Sequence, residues 1–387
     1  MALTGGLTAL LAILFAAALP VATVLFWNRV DPTSGRASRW RRGAWRGSLL
    51  FGTQLSAVML VAVLVNDAGR FYSSWLELLG EHHSVHPAVS VAGNQDEALR
   101  SKLALARAQG HGTVVSLKIP STSRGVGTFA AFVYLPIQYG MPGYEHHTFP
   151  VVELIAGSPG TPATWTTSLG VAGVLDAEIK AGRSLPFIAV MPTADVAGGR
   201  DTQCVDVVHG PDVERYLTAD VRTAITHAYR TSTYRGSWGL MGYSSGGFCA
   251  TNLAMRHPDM FDASVSIAGY DRPAHDHQTG ELFGHNNALR DQNTPTWRAT
   301  HLPPPNVALL LISSTQDTNT ASDAHALAAA AKPPLSVTLL TLSHGGHNFE
   351  VWRAEEPVAF AWLSTRLTAP LAPPPIIDNT QPVLVTP

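Results

Sequence analysis

The stretch Trp238-Gly-Leu-Met-Gly-Tyr-Ser-Ser-Gly-Gly-Phe-Cys-Ala250 decides the fold of this chain. Its pattern predicts a strand over 238–241, a very tight turn, and then a helix. Gly242, Ser244 and Gly246 match the spacing G-x-S-x-G. The serine of this pattern occupies a strained strand-to-helix turn, so the positions two residues to either side must be small.

This turn gives the serine a chemical role. It projects the Ser244 hydroxyl out of the sheet, and the N–H of Ser245 faces the place where charge develops on an attacked carbonyl. Ser245 is the poorer nucleophile candidate, because Tyr243 would then stand where glycine is needed. The alternative is an ordinary glycine-rich turn. The apolar strand before it and the amphipathic stretch after it favour a nucleophile turn, which is typical of α/β-hydrolases.

Composition narrows the possible partners and compartments. The chain has 387 residues, enough for one large catalytic domain with attachments. A net charge of −2 with 14% charged residues does not indicate a polyanion-binding surface, so we expect no nucleic acid partner. Two cysteines, Cys204 and Cys249, permit at most one internal disulfide.

Two apolar runs near the N-terminus predict a membrane anchor over residues 1–80. Residues 7–27 reach the length of about 20 residues that a spanning helix needs, and residues 49–65 are at its lower edge. The loop over 28–48 carries six arginines against one acid, Asp31. The positive-inside rule places this loop in the cytoplasm, and everything after Val65 then lies outside.

The alternative to this anchor is a cleaved signal peptide. A signal peptide needs a basic start, but residues 1–6 carry no charged side chain, and the second apolar run would stay unexplained. An apolar patch over 71–79 is either an interfacial helix or the end of the second span. Residues 81–112 are polar and weakly patterned, and we interpret them as a connector.

Residues 113–368 predict a catalytic domain with a mostly parallel sheet and helices on both faces. Segments 113–119 and 127–135 predict an antiparallel hairpin. Further strands are predicted at residues 149–155, 185–191, 261–268, 307–312 and 336–342. Helices are predicted at 168–181 with Ser168 as N-cap, 213–229, 247–257 and 356–367. The proline-rich end, residues 369–387, predicts a disordered tail.

Loops at the carboxyl ends of these strands supply further site candidates. After 149–155, the N–H of Gly157 or Ser158 is a candidate for the second oxyanion donor, and Trp165 is a weaker candidate for a substrate contact. An ordinary glycine and proline loop is the alternative. In the long loop over 192–210, Arg200 and Asp201 are weak substrate candidates, and simple solvated charges explain them equally well.

An acid and a histidine follow two later strands. Asp317 comes after 307–312 and His347 after 336–342, which gives the order serine, acid, histidine of α/β-hydrolases. His347 would accept the serine proton, and Asp317 would orient its ring. His344 is a rival base that lacks a preceding glycine pair. The rival acids are Asp323 and Glu350.

Cysteine and histidine placement leaves two further alternatives. A Cys204–Cys249 bridge would brace the floor of the site if the domain lies outside the cytoplasm, and two free buried thiols are the alternative. The insert over 272–301 is either a lid or a plain loop with a short helix. Histidine is frequent, but no metal-binding spacing occurs, and we expect neither metal nor cofactor.

The chain resembles the Putative esterase family of α/β-hydrolases, which includes esterase D and the secreted mycolyltransferases. The resemblance covers residues 113–368. It is carried by the early hairpin, Gly157-Ser-Pro-Gly160, Gly242-Tyr-Ser-Ser-Gly-Gly247, and Gly345-Gly-His-Asn348 followed by Trp352. It implies serine-dependent ester hydrolysis or acyl transfer without a cofactor. Many members have His-Gly where this chain has Ala156-Gly157, so a side chain that often orients the loop is missing.

These observations predict a membrane-tethered, extracytoplasmic serine esterase acting on an ester or acyl-lipid through Ser244, Asp317 and His347. One alternative is an acyltransferase that moves the acyl group to a sugar or lipid alcohol. Another is a non-catalytic binding module that has kept the hydrolase scaffold. No sequence feature favours a peptidase.

Overall fold

The computed structural model describes residues 6–29, 36–69 and 95–372. The chain divides into two compact units. One comprises Met1–Ser84 with Gly346–Glu350, and the other comprises Val85–Gly345 with Val351–Pro387. The predicted patch over 71–79, most of the predicted connector and the tail beyond residue 372 lie outside the described residues.

The first unit contains a helical hairpin. Helix α1 covers Gly6–Phe26 and α2 covers Arg36–Gly69. The hydroxyls of Thr23 and Thr53 are hydrogen-bonded at 2.9 Å, and the Trp45 indole donates to the carbonyl of Phe26 at 3.0 Å. Segments Thr8–Phe26 and Trp40–Asn66 are long and apolar enough to cross a membrane.

The second helix differs from its prediction. It begins at Arg36, so most of the predicted arginine-rich loop is helical instead of irregular. The physical reason is that Arg, Ala and Leu are good helix formers, and no proline interrupts residues 36–69. Residues 36–48 of the predicted loop therefore belong to α2.

An eight-stranded sheet forms the second unit, with the order β1-β2-β4-β3-β5-β6-β7-β8. Strand β2 is antiparallel to β1 and β4, and the neighbours from β4 through β8 are all parallel. The strands are β1 Thr113–Ile119, β2 Phe129–Leu135, β3 Val151–Ile155, β4 Ile188–Met191, β5 Trp238–Tyr243, β6 Ala263–Ile267, β7 Ala308–Ser314 and β8 Ser336–Leu342. This arrangement is the α/β-hydrolase fold that the sequence predicts.

Helices precede, connect and follow the strands of this sheet. They are α3 Gln95–Gln109, α4 Pro162–Thr166, α5 Val171–Lys180, α6 Val213–Arg215, α7 Val221–Ala228, α8 Ser245–Arg256, α9 Asn287–Gln292, α10 Pro295–His301, α11 Thr318–Ala330 and α12 Phe349–Ser364. A π-helical turn, Tyr216–Asp220, joins α6 to α7. Short 3-10 turns lie at Ile137–Gly140 and Arg235–Ser237.

Several predicted elements need correction. Helix α3 occupies the C-terminal half of the predicted connector, where Leu99 and Leu103 pack against the core. The predicted helix over 168–181 is preceded by α4, and α5 begins after Gly170, whose φ of 72° breaks the run. Ser168 is therefore not its N-cap.

The chain end also differs from its prediction. Helix α12 begins at Phe349, seven residues before the predicted start at 356. The first residues of the predicted tail are paired, because Leu371 exchanges backbone hydrogen bonds with Thr148 at 3.0 and 3.1 Å. Disorder predicted from residue 369 is thus wrong for this short segment.

A carboxyl group lies inside the sheet core. Glu153 of β3 is 0% exposed, and among the described residues neither of its oxygens has a hydrogen-bond partner. Burial raises the pKa of Glu153 to about 8, and the nearby positive charge of Arg222 opposes this rise. The folded protein therefore holds this carboxyl in its neutral form at neutral pH.

The free energy of unfolding of the wild type should fall as pH rises, because burial disfavours the charged form of Glu153. We predict that the Glu153→Gln variant lacks this fall. A raised folded-state pKa means that stability is fully present below the unfolded value near 4.5 and is lost as pH rises through about 8. The free energy of unfolding of the variant, minus that of the wild type, should increase by about 1 kcal/mol per pH unit across this window. Urea titrations at pH 5 to 9 measure it.

Glu281→Gln is the matched control. A hydrogen bond from the Phe283 N–H lowers the pKa of this partly exposed carboxyl. The charged Glu281 carboxylate contributes its stabilising effect at every pH above the unfolded pKa. The free energy of unfolding of Glu281→Gln, minus that of the wild type, should therefore stay constant between pH 6 and 9. A flat difference for Glu153→Gln as well would contradict the buried-acid interpretation.

Candidate active site

Close backbone packing shapes the turn at Ser244. Strand β5 ends at Tyr243, α8 begins at Ser245, and Ser244 between them has φ 54° and ψ −127°. A Cβ on Gly242 would collide with the Gly246 carbonyl, and a Cβ on Gly246 would collide with the Ile155 carbonyl of β3. The two glycines are therefore steric requirements of the turn, as its sequence spacing predicts.

Aromatic packing fixes the residue that precedes the nucleophile candidate. The Tyr243 ring stacks on Trp352 with centroids 4.5 Å apart and meets the edge of Trp165 at 5.2 Å. Trp165 is wholly buried. The structure thus corrects its prediction as a substrate contact, because its ring supports the turn and presents no surface to a substrate.

The loop after β3 passes directly beside Ser244. A Cβ on Gly157 would lie 2.8 Å from both the Ser244 Cβ and the Tyr243 carbonyl oxygen. The next residue is anchored, because the Ser158 N–H donates to Ser245 Oγ at 2.6 Å. Both predicted oxyanion residues, Gly157 and Ser158, therefore lie at the nucleophile turn.

A carboxyl on the following strand loop holds the Ser158 side chain. The Ser158 hydroxyl donates to Asp195 at 3.0 Å. Burial raises the pKa of Asp195 to about 6, helped by the charge of Asp201 and opposed by the Ser158 hydrogen bond. Asp195 is not among the site residues that the sequence predicts. Its position in the sequence could have indicated this place, because Asp195 follows β4 at the edge of the sheet where the nucleophile turn lies.

A second polar network surrounds the Ser245 hydroxyl. Asp201 and Tyr270 both lie within hydrogen-bonding reach of it. Gln203 links the two, since its amide donates to Asp201 at 2.5 Å and its oxygen accepts from the Tyr270 hydroxyl at 2.7 Å. Burial raises the pKa of Asp201, and hydrogen bonds from Gln203 and Ser245 act against it. Asp201 thus lies beside Ser245 with its oxygens engaged by protein groups, and its predicted substrate contact stays a prediction.

The Arg200 side chain contacts the insert that follows β6. Its guanidinium donates to the carbonyls of Thr279 and Glu281, at 2.8 and 2.5 Å. These residues belong to the 272–301 insert, which contains α9 and α10. Arg200 therefore ties the insert to the 192–210 loop, and its predicted substrate contact stays a prediction.

The predicted disulfide is present. Cys204 and Cys249 are bonded, with Cα atoms 5.6 Å apart, and the bond joins the loop after β4 to α8. Gln203 and Cys204 both have φ 53°, in the left-handed region that side chains disfavour. The bond therefore fixes Gln203 beside the network that surrounds Ser245.

The predicted acid and base follow β7 and β8. Asp317 is the N-cap residue of α11, directly after β7. Two residues before His347, Gly345 has φ 104°, its N–H donates to Gln316 at 3.0 Å, and its carbonyl accepts from the Ser314 hydroxyl. The segment leading to His347 is thus anchored beside the segment leading to Asp317.

The rival residues have other contacts. His344 bonds the adjacent Ser343 hydroxyl at 2.9 Å in an exposed position. Asp323 accepts from the backbone N–H of Asp271 at 3.0 Å, on the segment after β6. Glu350 lies in the first turn of α12. The contacts of His344 and Asp323 are local and structural, and the assignment of Asp317 and His347 as acid and base stays a prediction.

Comparison with known proteins places these features in a family. The model of the family described as Putative esterase matches residues 127–365. An uncharacterized protein of Corynebacterium glutamicum is 26% identical over 347 residues, which cover 82% of this chain and 78% of that protein.

Solved structures share the fold of the second unit. A ferulic acid esterase is 20% identical with a TM-score of 0.56, and the match covers 67% of this chain and 99% of that one. An S-formylglutathione hydrolase from Agrobacterium tumefaciens is 16% identical with a TM-score of 0.57, covering 67% and 97%. Because the family match spans more than half of the sequence, this chain belongs to the Putative esterase family and is a serine ester hydrolase of the α/β-hydrolase fold.

Proposed function

We propose that this protein is a membrane-tethered esterase whose catalytic domain lies outside the cytoplasm and uses Ser244, Asp317 and His347 as its triad. The observation that carries the proposal is the strained backbone of Ser244, held between β5 and α8 with Gly157 in contact beside it. Strain of this kind persists only where surrounding packing enforces it, and it is concentrated at catalytic positions.

The reaction follows from the placement of these groups. Ser244 Oγ attacks the ester carbonyl while His347 accepts its proton, and Asp317 stabilises the imidazolium that forms. The N–H of Ser245 and a second N–H from Gly157 or Ser158 bind the oxyanion. The alcohol leaves with the proton from His347, and water then attacks the acyl-enzyme by the same route to release the acid.

Two hydrogen bonds of Ser158 hold the oxyanion loop in place before substrate binds. Its N–H donates to the Ser245 side chain, and its hydroxyl donates to Asp195. Many family members carry histidine at the position of Ala156, and here the two Ser158 contacts supply an alternative means of orienting the loop. When a carbonyl enters, the Ser158 N–H must share or exchange its partner.

The helical hairpin supports the tether. Large apolar side chains of α1 and α2 are exposed, including Phe15, Val24 and Phe51. Arg29 and Arg46 lie over the rings of Phe26 and Trp27 at the end where the helices connect. Arginine and aromatic side chains together mark a cytoplasmic membrane interface, and two spans then return the chain to the outer side.

Ser244→Ala should abolish esterase activity. Without the hydroxyl no acyl-enzyme forms, and we expect kcat for short p-nitrophenyl esters to fall by about three orders of magnitude or more. A fluorophosphonate probe should label the wild type and not the variant. Labelling that persists in the variant, or equal turnover, would contradict the assignment. Probe failure with folded wild type would support a non-catalytic module.

Ser245→Ala tests the anchoring of the oxyanion loop. The variant retains its backbone N–H but loses the acceptor of the Ser158 N–H, so the loop loses its fixed position. We expect kcat to fall about tenfold to a hundredfold, with KM changed by less than about threefold. Steady-state kinetics measure both. A higher kcat would mean instead that the Ser245 hydroxyl blocks the donor.

A topology reporter tests the predicted orientation. Alkaline phosphatase, which is active only outside the cytoplasm, should be active when fused after Val65 and inactive when fused after Trp27, between the two helices. A reporter that is active only in the cytoplasm when fused after Val65 would overturn the outside placement and leave the esterase assignment intact.

A further inference from the structure

A cavity of about 250 Å³ lies between α3 and the segment over 139–145. It is lined by none of the residues of the candidate active site. Its walls combine apolar side chains, among them Leu103 and Met141, with three guanidinium groups from Arg100, Arg107 and Arg230. Nothing in the proposed ester hydrolysis uses these groups.

Charge in this cavity is unbalanced. Glu145 is its one acidic lining residue, and that carboxylate accepts from the backbone N–H of Gly143 at 2.8 Å. Arg100 and Arg107 are seven residues apart on α3, so they lie on one face two turns from each other. Within the described parts of the chain, neither forms an ion pair with an acid.

Two of the arginines are held in place by the protein. Arg230 donates to the Tyr139 carbonyl at 2.6 Å, lies 4.0 Å above the Tyr139 ring, and has a buried Nε without a hydrogen-bond partner among the described residues. Arg107 donates to the Gly140 carbonyl at 3.3 Å. Each contact uses only part of a five-donor group, so positioned N–H donors remain for a ligand.

We propose that this cavity binds the phosphate group of a phosphate ester. Guanidinium donors match phosphate oxygens in paired geometry, and three of them neutralise a doubly charged phosphate. Leu103 and Met141 would pack against the few carbon atoms attached to that phosphate. The volume accommodates a phosphate with a small attached group, such as glycerol. The phosphate comes either from the headgroup of an anionic lipid or from a soluble phosphorylated molecule.

Hydrogen exchange of the full chain in an uncharged detergent tests this binding. Inorganic phosphate at matched ionic strength should slow exchange in residues 95–109 and 139–145, compared with chloride. The double variant Arg100→Gln/Arg107→Gln should weaken the apparent phosphate affinity by about tenfold or more. The control Arg215→Gln/Arg366→Gln removes the same charge from exposed positions elsewhere and should leave affinity unchanged.

A second arm identifies the source of the phosphate. In phosphate-free buffer, nanodiscs of phosphatidylglycerol should protect the same residues more than nanodiscs of phosphatidylcholine if a lipid headgroup is the ligand. Protection by dissolved phosphate alone would assign the site to a soluble ligand. No protection by either probe, or equal protection in the Arg100/Arg107 double variant, would overturn the proposal.

Measuring the esterase activity of both double variants tests the phosphate site and the proposed reaction separately. Both double variants should hydrolyse short p-nitrophenyl esters at the wild-type rate, because neither change touches the candidate active site. Unchanged activity also shows that the variants fold. The phosphate proposal can then fail while the esterase assignment stands, or the reverse.

Discussion

The contact between Gly246 and the carbonyl of Ile155 is the constraint on which the site depends. Helix α8 can start where it does only because residue 246 has no side chain to collide with β3. That start forces Ser244 to φ 54°, and the same crowding brings Gly157 against the Ser244 Cβ. Backbone contacts alone therefore place the nucleophile candidate beside the oxyanion loop, and side-chain interactions add to this arrangement.

Polar side chains then orient what the backbone has brought together. The Ser158 N–H donates to Ser245 on α8, and the Ser158 hydroxyl donates to Asp195 on the loop after β4. These two hydrogen bonds link the loop after β3 to both elements. The Cys204–Cys249 bond joins the last two of these elements covalently. Asp195 accepts a hydrogen bond from Ser158 and Asp201 accepts from Gln203, and burial raises the pKa of each carboxyl. A buried carboxyl is more stable when neighbouring groups hydrogen-bond to it than when it is charged and unpaired.

Sequence predicted the features that follow from local spacing. The turn at Ser244, the order of the strands along the chain and the pairing of two cysteines each depend on short patterns or on the rules of parallel sheets. Contacts between distant segments were missed, because periodicity carries no information about them. The sequence made Trp165 a weaker candidate for a substrate contact, and only its burial and its packing against Tyr243 show that it supports the turn.

Helix boundaries failed for a related reason. Residues 36–48 looked like a cytoplasmic loop because charge dominates their composition, although Arg and Ala are both good helix formers. At 168–181, the apolar period was found, but the break at Gly170 depends on a positive φ that a single glycine in a sequence does not reveal. In both cases backbone preference outweighed the composition that guided the prediction.

Two independent features support the same side of the membrane for the catalytic domain. The disulfide belongs to the second unit and persists where the surroundings are oxidising, as outside the cytoplasm. The arginines beside Phe26 and Trp27 belong to the first unit, and in the proposed topology they lie at the hairpin end on the cytoplasmic side. One argument concerns redox chemistry and the other concerns charge at a lipid interface. Because neither depends on the other, their agreement favours the outside placement more than either does alone.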